Sequence, residues 1–212
     1  MSVAAVVVAA GRGTRFGGAK QFALLNGETV AARSVAQARL VADLVVVVVP
    51  EGYEGDGEGA DVVVTGGASR AASVRCGLAH CGDADIVIVH DAARPLATGD
   101  LFRAVVTAIE EGADAAIPGL TLTDTVKRVA SKDDVTVVVE TLAREELVAV
   151  QTPQAFRRPV LERAHAHGGD ATDDAGLVES LGARVVVIPG EATNVKITHL
   201  GDLEVLGARS QS

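Results

Sequence analysis

The chain has 212 residues, 48% of them hydrophobic but only 2% aromatic, and a formal net charge of −9 at pH 7. That length suits one α/β domain with a core of Val, Ala and Leu, and Val-rich runs with few aromatics favour parallel strands covered on both faces. An acidic surface repels nucleic acid and anionic membrane, which excludes large polyanionic partners and leaves a small phosphorylated ligand, held where basic residues gather.

The N-terminus lacks the positive n-region of a signal peptide, and its apolar run is far short of the roughly 20 residues of a bilayer span, so a cytoplasmic protein is expected. Residues 3–9 read as a buried strand that runs into a glycine-rich loop, 10–20. A helical pattern at 29–41 precedes a strand at 44–49. The Gly/Glu/Asp-rich stretch 52–59 reads as a surface connection. Strands at 61–65, 85–90 and 113–118 alternate with helices at 68–81 and 98–111. Cys76 and Cys81 fall in one of these helices and match neither a zinc pattern nor a disulfide framework.

Residues 120–152 break the alternation. Two Thr/Val-rich flanks, 121–129 and 135–141, enclose a polar turn at 131–134, the pattern of a β-hairpin arm leaving the sheet. Such an arm exposes edges and apolar surface, so a second copy of the chain is its expected partner. Helices at 159–167 and 173–181, a strand at 184–188 and a last helix at 200–209 complete the chain. The alternation implies a doubly wound, mostly parallel sheet in one α/β domain, 1–212, with a projecting arm. Ligands in such sheets bind beyond the carboxyl ends of strands, here 10–20, 66–73, 91–95, 119–125 and 190–196.

The loop after the first strand reads Ala9-Ala10-Gly11-Arg12-Gly13-Thr14-Arg15-Phe16-Gly17-Gly18-Ala19-Lys20-Gln21. Its glycines allow backbone N–H groups to approach a phosphate. A Rossmann fingerprint starting at Gly11 would need a small residue where Phe16 stands, and a Walker loop would need a lysine after its second glycine. What remains is glycine-rich backbone with Arg15 and Lys20, two cations suited to a triphosphate undergoing substitution at phosphorus. A plain flexible loop would explain the glycines but not their place or the cations.

His90-Asp91-Ala92-Ala93-Arg94-Pro95 follows the strand at 85–90. Asp91 can hold Mg²⁺ between phosphates or orient a sugar hydroxyl, and Arg94 can pair with a phosphate or with Asp91. His90 has no metal-spaced partner and reads as structural. Gly66-Gly67-Ala68-Ser69-Arg70-Ala71-Ala72-Ser73 leads into a helix N-terminus, either a ligand site or a turn capped by Ser69. The C-terminal third adds Gln151-Thr152-Pro153-Gln154, Thr172-Asp173-Asp174 and Asn194-Val195-Lys196-Ile197-Thr198.

Together with Asp124-Thr125-Val126-Lys127, and in this order, these motifs resemble the 2-C-methyl-D-erythritol 4-phosphate cytidylyltransferase family over about residues 3–206. The resemblance implies a Rossmann-like nucleotidyltransferase fold, CTP and a small sugar-alcohol phosphate as substrates, Mg²⁺ as cofactor and a homodimer. It implies Arg15, Lys20, Lys196 and Arg144 as catalytic. Ala9, Ala10, Gly11, Gly13, Gly67, Ala68, Arg70, Ser73 and Ala92 fall on the nucleotide. Asp91, Arg94, Thr125, Thr152, Thr172 and Asp173 fall on the acceptor, with Asp91 also at the metal. The arm would lend Thr125 and Arg144 to the neighbouring subunit's site. The chain departs from the family pattern in its short segment between Arg15 and Lys20 and in Ala68, where many relatives carry a polar side chain. A fused cyclase domain, present in some relatives, is not expected here. A ribitol 5-phosphate cytidylyltransferase, a sugar-1-phosphate nucleotidylyltransferase using UTP or GTP, and an inactive nucleotide sensor remain as alternatives.

Overall fold

The computed structural model describes residues 1–11, 13, 18–132, 134–166 and 172–203. In chain order the elements are β1 (Val3–Val8), a 3₁₀ turn (Lys20–Phe22), β2 (Leu24–Leu25), β3 (Glu28–Thr29), α1 (Val30–Arg39), β4 (Leu44–Val49), β5 (Val62–Thr65), α2 (Arg70–Leu78), β6 (Ile86–Asp91), α3 (Gly99–Glu110) and β7 (Ala115–Thr121). Then come β8 (Lys127–Lys132), β9 (Val135–Thr141), a second 3₁₀ turn (Arg144–Glu146), β10 (Val148–Val150), β11 (Gln154–Arg157), α4 (Arg158–Ala166), α5 (Asp174–Glu179) and β12 (Val185–Pro189).

The period-two geometry of a strand explains the long Val/Ala runs. Val3, Ala5 and Val7 of β1 face one layer, with Val35 of α1 and Phe102 of α3. Ala4 and Val6 face the other, with Val74 of α2 and Leu161 of α4. Both faces are covered, so no polar alternation is needed, and each buried Val or Leu contributes about 1.5–3 kcal/mol. Helix starts are set by short polar side chains. Thr29, Ser69, Thr98 and Asp173 accept the backbone N–H of Ala32, Ala72, Leu101 and Gly176 respectively, each cap worth about 1 kcal/mol.

The sheet runs β10-β7-β11-β6-β1-β4-β5, with β12 also on β7. β1 is parallel to both β4 and β6. The chain moves from β1 outward through β4 and β5, then returns to β6 on the other side of β1. That reversal opens a crevice at the carboxyl ends of β1 and β6. Val8 and Asp91 are register partners there, so the glycine loop and the acidic motif leave the sheet side by side.

The sheet is mixed rather than wholly parallel. β11 lies antiparallel to both β6 and β7, and β10 antiparallel to β7. These strands are only four and three residues long, too short for local periodicity to announce them. β11 nonetheless carries residues 151–154 to the tip of β6. The 52–59 stretch is also more than a connection. The Tyr53 ring stacks on Phe22 with centroids 4.9 Å apart, and its hydroxyl donates to Glu58 at 3.0 Å. Glu58 also accepts from the Thr29 hydroxyl, so the loop props the 3₁₀ turn that carries Lys20.

Among the described residues β8 and β9 pair only with each other, and all of their described residues are exposed, including Val129 and Val138. The expected arm is present. Residues 200–203 are helical, and the rest of the last expected helix lies outside the described residues. Among the described residues no helix is long and apolar enough to cross a membrane. Cys76 and Cys81 are both free; burial pushes the Cys81 thiol up to about 12.

Candidate active site

The first loop is pinned from below. Gly13 has φ +60°, and a Cβ there would sit 1.7 Å from the Gly18 carbonyl oxygen, so this turn admits only glycine. The buried Gln21 amide donates to the carbonyls of Ala9 at 2.6 Å and Gly11 at 3.0 Å. The Lys20 ammonium donates to the Ile197 carbonyl and so ties the loop to the C-terminal segment. Across the crevice, Gly66 lies so close to the start of this loop that a Cβ would come within 2.4 Å of that of Ala10. The Ser73 hydroxyl, buried, accepts from the Gly67 N–H at 3.2 Å and donates to the Ser69 carbonyl at 2.9 Å.

Asp91 is the centre of the site. Its Oδ1 accepts from Arg70 Nε at 3.1 Å and its Oδ2 from Lys196 Nζ at 2.5 Å. Burial would raise its pKa, but Arg70 and Lys196 outweigh burial and hold the carboxyl well below the usual carboxylate range. Arg70 turns its Nη1 to Asp174, at 2.7 Å. Burial opposes the guanidinium charge, and Asp91 and Asp174 more than restore it.

A buried network supports this centre. The Asp91 backbone N–H donates to the Thr152 hydroxyl at 3.0 Å, which bonds His90 Nδ1 at 3.1 Å. His90 Nε2 contacts the Arg94 carbonyl at 3.2 Å. That carbonyl can only accept, so the proton sits on Nε2, and Nδ1 of the neutral ring accepts from Thr152. Burial, only partly offset by Asp91, pushes the His90 pKa down to about 4, consistent with a neutral structural ring. The buried Asn194 amide donates to the Thr152 carbonyl at 2.9 Å, and Gln151 donates to the carbonyls of Glu191 and Asn194.

Two connected hollows result. The first, about 380 Å³, is lined by Ala9, Ala10, Gly11, Gly13, Lys20, Gly67, Ala68, Arg70, Ser73, Asp91 and Lys196, all expected from the sequence, together with Gln21, Ser69, Ala93 and Thr198, which were not assigned there. The second, about 190 Å³, is lined by Arg94, Thr152, Thr172 and Asp173, the residues that the resemblance assigned to the acceptor, and by Gln151 and Gln154. Arg70, Asp91 and Lys196 border both.

Three expected residues lie elsewhere. Ala92 is in the core, its N–H on the Val8 carbonyl and its own carbonyl taken by the Ser34 hydroxyl; its neighbour Ala93 lines the first hollow. Thr125 and Arg144 are exposed at the base of the arm, with Arg144 donating to the Thr123 carbonyl. Arg15 lies outside the described residues. Arg94 does not pair directly with Asp91: it donates to the Asn194 carbonyl at 2.7 Å and to that of Val150 at 3.4 Å.

A switch-point crevice floored by glycine backbone and ringed by Lys20, Arg70 and Lys196 places the molecule among α/β proteins of the Rossmann-like nucleotidyltransferase kind. Residues 3–209 match the family described as IspD, 2-C-methyl-D-erythritol 4-phosphate cytidylyltransferase, and the chain belongs to that family. A 2-C-methyl-D-erythritol 4-phosphate cytidylyltransferase of Rhodococcus jostii is 48% identical over 95% of this chain and 92% of its own length. The crystal structure of the Thermus thermophilus cytidylyltransferase superimposes with a TM-score of 0.85 at 37% identity, covering 100% of both chains. A bifunctional IspD/IspF enzyme of an Anaeromyxobacter species is 46% identical over 98% of this chain, which spans 56% of that relative's length.

Proposed function

We propose that this chain joins CTP to 2-C-methyl-D-erythritol 4-phosphate, releasing pyrophosphate and forming CDP-methylerythritol. The observation that carries this reading is the pair of hollows sharing Arg70, Asp91 and Lys196. The larger one would take the nucleotide and the smaller one the acceptor, so the two anions meet over that shared trio.

An acceptor phosphate oxygen forms a bond to the α-phosphorus of CTP, and the bond from that phosphorus to the β-phosphate bridge breaks. The attacking phosphate is already ionised and needs no strong base. What opposes reaction is repulsion between anions and charge build-up at phosphorus, and positioned cations relieve both. Lys20, with Arg15 near it in sequence, would neutralise the triphosphate, and Lys196 would hold the incoming phosphate against Asp91. Loop N–H groups at Gly11 and Gly13 would face the phosphates, and the 66–73 turn would hold base and ribose.

The residues present fit Mg²⁺ in one way. Among the described residues no cluster of three His, Cys, Asp or Glu exists, and Asp91 is the one acidic side chain lining the larger hollow. That suits an ion held by a single carboxylate and by substrate phosphates. Asp91 would hold it, and the ion would supply further neutralisation of the triphosphate. The arm would make the protein a homodimer, and a cytoplasmic location is proposed.

The test compares CTP, UTP, GTP and ATP with methylerythritol phosphate and Mg²⁺, following pyrophosphate. Release with CTP at a kcat/KM well above the other three is expected. Equal or better turnover with UTP or GTP would overturn the assignment of the nucleotide.

A further inference from the structure

His165 is a buried titratable residue that the reaction above does not use. It lies on α4, which packs against α5, and its side chain is only 2% exposed. Its Nε2 lies 3.0 Å from Asp174 Oδ1. Asp174, at the first turn of α5 and 1% exposed, gives its other oxygen to Arg70 Nη1 at 2.7 Å. Arg70 passes its Nε to Asp91 at 3.1 Å, and Asp91 closes on Lys196 at 2.5 Å. An unbroken line of charge-assisted contacts thus runs from α4 to the centre of the crevice.

The chemistry gives this line a direction. Asp174, ion-paired with Arg70, can only accept, so His165 must present an N–H at Nε2. Its Nδ1 is buried with no partner among the described residues. A buried polar ring with one nitrogen unmatched among the described residues is a poor space-filler; phenylalanine would fill the same volume without that cost. What the histidine adds is the bond that fixes one Asp174 oxygen and thereby aims the other. A long arginine side chain between two carboxylates needs such a fixed anchor to hold one rotamer, and a side chain in the working site is only as precise as its supporting shell.

We propose that His165 is a positioning residue, acting through Asp174 to hold the guanidinium of Arg70, and with it Asp91, in the geometry the nucleotide hollow requires. The proposal rests on the cytidylyltransferase reading above.

The test uses the full chain as His165→Phe, which keeps the ring volume, and His165→Gln, whose side-chain amide can return an N–H near Nε2. His165→Phe should lose roughly 10- to 100-fold in kcat/KM for CTP, most of it in kcat, because alignment rather than burial is lost. His165→Gln should recover most of that loss. Turnover is normalised to the folded fraction from a thermal melt. Normal kinetics in folded His165→Phe, with only the melting temperature lowered, would overturn the proposal, as would equal losses in both variants. If His165→Phe does not fold, Asp174→Asn keeps the shape and removes the charge; wild-type turnover in that variant would overturn the proposal too. The Arg70 Nε–H resonance, assigned by its disappearance in Arg70→Lys, gives a readout independent of turnover. It should be protected from exchange in the wild type and lose that protection in His165→Phe; equal protection in both would refute the relay. A wild-type chain that releases no pyrophosphate from CTP would overturn the functional reading, and the Arg70 resonance would then decide the relay alone.

Discussion

Lys20 and Lys196 reach the crevice from opposite ends of the chain, and Lys20 is tied to the Ile197 carbonyl beside Lys196. On the proposed reaction, replacing Lys20 with Ala would remove one electrostatic donor to the triphosphate as well as that tether. Turnover should fall by roughly 10²-fold or more, measured by pyrophosphate release; near-normal turnover would remove Lys20 from the mechanism. His90 sets a pH dependence of stability instead. Its pKa falls from 6.5 to about 4 on folding, so between those values the unfolded chain binds a proton that the folded one refuses. Stability is therefore lost as the pH falls through that window, by roughly 3 kcal/mol for this one group. Urea unfolding at pH 7 and at about pH 4.5, inside that window, should show a smaller difference in His90→Gln than in the wild type; equal differences would contradict it. Lys20, Asp91 and Lys196 were legible in the sequence because charged residues in ordered motifs follow strand ends. The Arg70–Asp174 pair was not, because its partners lie 104 positions apart and only the fold brings them together. Gln21 and Asn194 stood in quoted motifs, but their work is to satisfy backbone carbonyls, which sequence spacing does not reveal.

At the scale of elements, the runs that became β1, β4 and β6 were plain because each is a Val-rich strand buried on both faces. The start of α2 was legible through its Ser69 cap. β10 and β11 were hidden: their pairing is decided by the open sides of β6 and β7, not by local periodicity. The arm was legible as a Thr/Val hairpin, and its exposed valines on β8 and β9 ask for a covering surface. Replacing residues 127–141 with a short turn should leave the body folded, since among the described residues β8 and β9 pair only with each other, and should yield a monomer by light scattering. A dimer that survives this deletion would rule out the arm as the dimer contact.

At the scale of the whole molecule, a chain of net charge −9 gathers Lys20, Arg70 and Lys196 around one crevice, and Arg94 borders the adjoining hollow. A field that repels large polyanions thus coexists with a local gathering of cations at the crevice. The topology places that site at the switch point between β1 and β6, where the register partners Val8 and Asp91 open the two loops that carry it. Family membership and this geometry support the proposed cytidylyl transfer to a sugar-alcohol phosphate. The most direct test supplies the purified chain with CTP and Mg²⁺ and either 2-C-methyl-D-erythritol 4-phosphate or ribitol 5-phosphate. Pyrophosphate release with the first acceptor and little with the second is predicted; release with ribitol phosphate alone, or with neither, would contradict the account.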